Sequence, residues 1–397
     1  MAVTDKTTGP WGLDQVYNKI NQGSIWEYFD VSTGNGQLFG WGANERGTLA
    51  LNDRTYRSSP TQVGSDTTWS VLLKGGHSND GSGAIKSDGT LWMWGRSDQG
   101  QLGQNDTADY SSPTQVPGTT WKNGATSPNS TLATKTDGTL WSWGSASSGV
   151  LGLNQSTANA RCSSPTQIPG TTWDEVFAGY ETACAVKTNG ELWMWGLNDR
   201  GQLAQNDRTN YSSPKQVPGT TWTTGNNTSQ QGMACRFIKT DGTLWSWGYN
   251  NGGGLGLNNT TQYSSPVQVG GDTNWSTVGG SSYNGIGTKT DGTLWTWGTN
   301  NKGALGTNQP NGTLVSSPVQ VPGTNWAVGV IPNNKYVLAA KTDGTLWSWG
   351  YNFAGMLGQN NRTQYSSPIQ IPGTWSSKVN GVGGAYYNGY AIKPIRS

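Results

Sequence analysis

This sequence predicts an all-β fold of seven repeated units, on the strength of three independent markers. A Trp-Gly pair falls at Trp41, Trp94, Trp143, Trp195, Trp247, Trp297 and Trp349, in steps of 53, 49, 52, 52, 50 and 52 residues. A Ser-Ser-Pro word follows each pair, with its proline at Pro60, Pro113, Pro165, Pro214, Pro266, Pro318 and Pro368. A lone tryptophan comes next, at Trp69, Trp121, Trp173, Trp222, Trp275, Trp326 and Trp375. Each series counts seven.

Within a repeat the pattern reads as strands. The stretch "ATKTDGTLWSWG" (133–144) is two short apolar runs joined by Asp137-Gly138. That dipeptide predicts a two-residue type I′ hairpin, in which both central residues need positive φ. Asp88-Gly89, Asn189-Gly190, Asp241-Gly242, Asp291-Gly292 and Asp343-Gly344 repeat it. "SSPTQV" supplies another strand, with proline near its start where a missing N–H costs little. The segment around each lone tryptophan supplies a fourth. The intervening Gly/Asn loops, such as "YNNGGGLGLNNTTQY", are too polar and glycine-rich for a helix. Four strands in about fifty residues, seven times over, predict a seven-bladed β-propeller over residues 31–397, preceded by an arm at 1–30.

The run "DGTLWMWGRSDQGQLG" at 88–103 resembles the repeat of the regulator of chromosome condensation family. The resemblance spans roughly residues 31–393 and implies a seven-bladed propeller. The family includes a nucleotide-exchange factor that binds chromatin, together with inhibitors and adaptors, so it implies less about function than about fold. The recurring "SSPxQVPGTxW" wording is similar to bacterial and bacteriophage members.

Composition narrows the function classes. Charged residues make up only 12% of the 397, and the formal net charge is +2. That is a weak basic field for nucleic acid or an anionic membrane, and no partner of either kind is expected. No apolar run approaches the length that would span a bilayer. The first residues, "MAVTDKTTGPWG", lack the apolar core of a signal peptide. Cys162, Cys184 and Cys235 are too few, and odd in number, for a disulfide framework. Free thiols are the default, although Cys184 and Cys235 sit on corresponding strands of successive repeats. Twenty of the 22 tryptophans belong to repeat positions, so they predict packing between blades; Trp11 and Trp26 lie outside.

Catalytic chemistry has few candidates. His77 is the one histidine, in "GGHSND". Hairpin turns take five of the aspartates, and the Asn/Asp loops lack a calcium ligand series. No enzyme, metal or cofactor is expected.

Comparing the seven copies shows where they differ most: the loops just before each "AIK"-type strand. They carry His77, Asn79, Tyr180, Glu181, Asn226, Gln230, Tyr283, Asn284, Asn334, Tyr336, Tyr386 and Tyr387. Tyrosine among small polar residues is the mixture found in adaptable binding loops. Equivalent places in equivalent blades put these loops on one face of the ring.

The reading that results is a non-enzymatic binding or structural module. Low charge and Asn/Thr/Gly richness favour a bacteriophage virion protein, contacting other virion proteins and, through its loops, a host receptor or glycan. A cytosolic regulatory adaptor like the exchange factor, and a secreted lectin or inhibitor, are the alternatives. In the arm, Leu13, Val16, Tyr17 and Ile20 follow i, i+3, i+4, i+7 on a short helix after Pro10, flanked by Trp11. These five make a docking segment or a cap on the propeller. Finally, "GYAIKPIRS" (389–397) matches the "AIK" strand of the other repeats. We therefore expect residues 389–393 to pair beside Leu38–Trp41 and close the ring.

Overall fold

The computed structural model describes residues 35–75, 81–157, 160–225, 227, 233–331, 335–385 and 387–395. Antiparallel strands dominate, arranged as seven blades. Blade two is representative: Trp69–Leu72 is the inner strand, followed by Gly81–Lys86, Leu91–Gly95 and the outer Tyr110–Val116. In blade five a Trp222–Lys239 bridge holds the inner position beside three strands. Blade one draws two strands from each end of the chain: Val382–Ala385 and Asn388–Pro394, then Gly36–Gly42 and Arg57–Gln62.

The expected closure is present. Leu38 pairs with Ile392, Phe39 with Ala391 and Trp41 with Gly389. Gly389 is required there, since a Cβ would stand 2.7 Å from the Trp41 ring. Both ends of the described chain therefore meet at Gly36 and Pro394, at the end of the ring that carries the Asp-Gly turns.

Those turns differ from the two-residue form expected from their sequence. Gly89 N–H donates to the Lys86 carbonyl (2.9 Å) and Lys86 N–H to the Thr90 carbonyl (3.0 Å). Gly89 has φ +77° while Asp88 stays at negative φ. This is a three-residue loop ending in a left-handed glycine bulge. The aspartate side chain decides the geometry: Asp88 Oδ1 accepts from the Thr90 amide (3.0 Å) and hydroxyl (2.7 Å). Thr90 Oγ1 in turn accepts from the Trp92 indole at 2.9 Å.

The core lies between blades and follows the repeat. All seven tryptophans of the Trp-Gly pairs are 0% exposed, and the lone tryptophans are at most 3% exposed. Each Trp-Gly indole donates to a carbonyl of the preceding blade, at the residue before the leucine of "GxLG/A". Examples are Trp94 to Thr48 (2.9 Å), Trp195 to Val150 (2.8 Å) and Trp297 to Gly254 (2.8 Å). The first tryptophan of "LWxW" is half-buried and shares a lysine with the lone one. Lys86 Nζ lies 4.9 Å from the Trp69 ring and 4.1 Å from Trp92, and Lys239 Nζ lies 4.9 Å from Trp222 and 3.9 Å from Trp245. Cation–π attraction thus accounts for the lysine that opens each "KTDG" word. The three cysteines are free. Burial, then the neighbouring Cys235, pushes the Cys184 thiol well above its ordinary value.

Inner strands also touch one another. Lys74 N–H donates to the Gly124 carbonyl (3.0 Å), and Thr126 N–H donates back to Lys74 (2.7 Å). The Lys74 ammonium reaches over blade three to Glu175 of blade four, and both side chains are buried. The other Glu175 oxygen accepts from the Gly225 amide of blade five at 2.6 Å. Burial pulls the Lys74 amine below its ordinary value, and Glu175 works against that pull.

Candidate binding face

Strand register places two sets of loops at one end of the ring. Thr182 at the start of a second strand pairs with Gly196 at the end of the third. The loop entering the second strand and the loop leaving the third therefore share a face, opposite the Asp-Gly turns. In five blades the loop leaving the third strand is held by an asparagine; Ser97 and Ala146 take that place in blades two and three. Asn250 Oδ1 accepts from Leu255 N–H (3.0 Å), and its Nδ2 donates to the carbonyls of Asn259 (3.1 Å) and Thr261 (2.9 Å). Asn44 and Asn352 do the same in their blades. One buried side chain thus satisfies several backbone groups and fixes a long polar loop.

On that scaffold sit three groups of exposed or half-buried side chains. Tyr180 is 47% exposed, next to Glu181, whose two oxygens accept from the hydroxyls of Ser147 (3.0 Å) and Ser148 (2.6 Å) of blade three. Tyr283, 39% exposed, meets Tyr249 edge-on at 5.5 Å, with the Arg200 guanidinium 5.8 Å from the Tyr249 ring. Burial, then its bond with Tyr283, raises the Tyr249 hydroxyl above its usual value. Phe353, 38% exposed, stacks on Tyr351 at 5.2 Å and takes the edge of Tyr387 at 4.6 Å. Lys335 Nζ lies 5.5 Å from the Tyr351 ring.

Of the residues expected on this face, Tyr180, Glu181, Tyr283 and Tyr387 are there. Two are not available to a ligand. Tyr336 is 0% exposed, and its hydroxyl donates to the carbonyls of Ala385 (3.0 Å) and Asn388 (2.7 Å) in blade one. Asn284 is also 0% exposed, with Nδ2 donating to the Thr299 carbonyl at 2.6 Å. Each is the first residue of its second strand, where the side chain turns inward rather than out of the loop, Tyr336 to the seam with blade one and Asn284 to the third strand of its own blade. His77, Asn79, Asn226, Gln230, Asn334 and Tyr386 lie outside the described residues, as do Trp11, Leu13, Val16, Tyr17 and Ile20 of the arm.

Arg200, Tyr249, Tyr351 and Phe353 were not expected. They come from the loop after "WG", whose shared Asn and Gly frame masks its variation. The signal is in "WGLNDRG", "WGYNNGG" and "WGYNFAG", where residues between fixed positions change from blade to blade. Among the described residues, no three His, Cys, Asp or Glu side chains gather closely enough to hold a metal ion.

Comparison with known proteins supports the same architecture. Residues 84–388 match the RCC1-like domain family, and residues 35–77 match the regulator of chromosome condensation (RCC1) repeat. The chain is similar to the ultraviolet-B receptor UVR8 of Arabidopsis thaliana, 26% identical over 189 residues, which is 47% of this chain and 43% of the receptor. It is similar to the human X-linked retinitis pigmentosa GTPase regulator, 30% identical over 86 residues, 22% of this chain and 8% of that protein. The chain spans less than half the length of these relatives. Among solved structures, human WBSCR16 superposes with a TM-score of 0.78 at 18% identity, covering 90% of this chain and 100% of that one. Prp20p from Saccharomyces cerevisiae, described with its binding to Gsp1p and histones, gives 0.77 at 16% identity, covering 97% and 95%. The chain belongs to the RCC1-like domain family and has its all-β propeller fold.

Proposed function

We propose that this propeller is a non-enzymatic regulatory adaptor that binds a protein partner through the loop face. The observation that carries this reading is the placement of Tyr180, Tyr283 and Phe353, each more than a third exposed, on the one end of the ring where the repeats diverge. Large aromatic side chains on a rigid frame supply contact area at small entropic cost and act as interface anchors. The matched relatives, a receptor and a GTPase regulator, favour regulation over attachment. The virion role suggested by composition gains no support from them. Both termini of the described chain sit on the opposite end, and we propose that the arm at 1–30 makes a second engagement there. Residues Trp11, Leu13, Val16, Tyr17 and Ile20 are our proposed docking contacts for that second engagement.

The test is an affinity purification from the native host with the full chain and with Tyr180→Ser/Tyr283→Ser/Phe353→Ser. The reading expects a stoichiometric partner bound by the wild type and lost from the triple variant at unchanged melting temperature. Equal recovery with both proteins would refute it. Stimulated nucleotide release from a recovered GTPase would identify the adaptor as an exchange factor.

A further inference from the structure

The repeats differ at one position that the loop face does not use. The residue after the glycine or alanine of "GxLG/A" is Leu51, Gln104, Leu153, Gln205, Leu257, Thr307 or Gln359. Where it is glutamine, the amide folds back on its own blade. Gln205 Nε2 donates to the carbonyls of Leu203 (3.1 Å) and Gln216 (3.1 Å), and Gln359 donates to Leu357 (3.3 Å) and Gln370 (3.1 Å). Gln104 donates to the Leu102 carbonyl (3.3 Å) and reaches the outer strand one residue earlier, at the Thr114 carbonyl (3.5 Å). The amide thus bridges the gap between loop and outer strand. Leucine has no donor to do so.

At two of the leucine positions the rim of the ring is open. A groove of about 410 Å³ lies between blades three and four, lined by Leu153, Asn154, Gln167, Lys187 and Trp193. Its counterpart of about 380 Å³ lies between blades five and six, lined by Leu257, Asn258, Gln268, Asp272 and Trp295. Gln167 and Gln268 hold the places of Gln216 and Gln370, whose carbonyls a glutamine covers in other blades. In both grooves the leucine and the tryptophan are only partly buried against the same core cluster. Leu51 and Trp92 make the same pair between blades one and two.

The charges in both grooves are already matched. Lys187 pairs with Glu191 at 3.4 Å, and Lys289 beside the second groove pairs with Asp272 at 2.9 Å. An anion or cation would have to break one of these pairs. What remains is leucine and the part of each indole left bare by its lysine, whose Nζ lies 4.6 Å from the Trp193 ring and 4.1 Å from Trp295, edged by amides and serine-proline backbone, with room for a small molecule. A neutral ring with an apolar face and hydroxyls at its rim meets all of these features. We propose that the leucine-bearing grooves are binding sites for a neutral saccharide, two to three per ring, distinct from the loop face.

The test titrates the full chain with methyl glycosides of neutral hexoses and N-acetylhexosamines, read by saturation-transfer NMR. Leu51→Gln/Leu153→Gln/Leu257→Gln installs the side chain that three blades already carry. The proposal expects saturable binding by at least one glycoside, weakened about tenfold or more in this variant, a loss of roughly 1.4 kcal/mol. If that variant fails to fold, Gln205→Leu/Gln359→Leu serves instead and should raise the number of sites. No saturable binding by any probe, binding that the leucine variant leaves unchanged, or glutamine variants with no added sites would overturn it.

Discussion

The indole N–H of Trp41 donates to the carbonyl of Met356 at 2.8 Å, joining residues 315 positions apart. Six other indoles make the same bond to the blade before them, each across about fifty residues or fewer. Of these seven indole bonds, the Trp41 bond is the one that joins blade one to blade seven, where it acts beside the Tyr336 hydroxyl bonds to Ala385 and Asn388. Trp41→Phe keeps most of the apolar volume and strands a buried carbonyl, which should cost about 1–3 kcal/mol in denaturant titrations. Trp195→Phe should cost about the same. A much smaller loss at Trp41 would mean that the seam is held mainly by its other contacts, such as the Tyr336 hydroxyl bonds to blade one.

Truncation after Gly384 removes Asn388–Pro394, the strand that pairs with all of Gly36–Gly42. It also removes the acceptors of Tyr336 at Asn388 and Ala385. The truncated chain should lose its single cooperative thermal transition. A melting curve matching the full chain would refute closure by the C-terminal strand.

Trp222 is 1% exposed and packs edge-on against Phe237 at 6.2 Å and Trp247 at 5.7 Å. Trp222→Ala should destabilise by about 3–5 kcal/mol, the usual cost of emptying a buried aromatic site. A change within about half a kcal/mol would show that the space between blades tolerates a void.

Lys74→Met leaves Glu175 buried without its cation and should cost about 3–5 kcal/mol. Lys74→Met/Glu175→Leu removes both charges and should recover much of that loss, since the ion pair carries its own desolvation cost. A double variant as unstable as the single one would show that the Gly225 amide, not Lys74, is the essential partner of Glu175.

Hydrogen bonds from the following threonine hydroxyl, then from its amide, hold the carboxyls of Asp88, Asp137, Asp241 and Asp291 below their usual range. A folded-state value below the unfolded one means stabilisation that is complete above about pH 4 and lost as pH falls through the folded values. Melting temperature should therefore drop on acidification below about pH 4. Asn189 holds the same turn position in blade four without titrating. Changing the four aspartates to asparagine should flatten the acid limb of the profile, and superimposable profiles would exclude the turns as its source.

The seven-fold count, the strand content and the C-terminal closure were legible in the sequence. Each is a local pattern copied at fixed spacing, and a closed ring gives equivalent residues equivalent neighbours. The resemblance carried by "DGTLWMWGRSDQGQLG" named the family that residues 84–388 match. The hairpin type was misread because Asp-Gly alone does not reveal that the carboxylate will bind Thr90 and hold Asp88 at negative φ. The candidate binding face was half legible. Variation between copies located the loops with Tyr180 and Tyr283, yet it could not tell an outward tyrosine from Tyr336, one residue into a strand and turned toward blade one. Strand alternation sets that direction, and a one-residue difference reverses it. The clustering of Arg200, Tyr249 and Tyr283 and the pairing of Lys74 with Glu175 were decided by tertiary structure alone. They join different blades, and only the curvature of the closed ring brings residues separated by whole repeats within bonding distance.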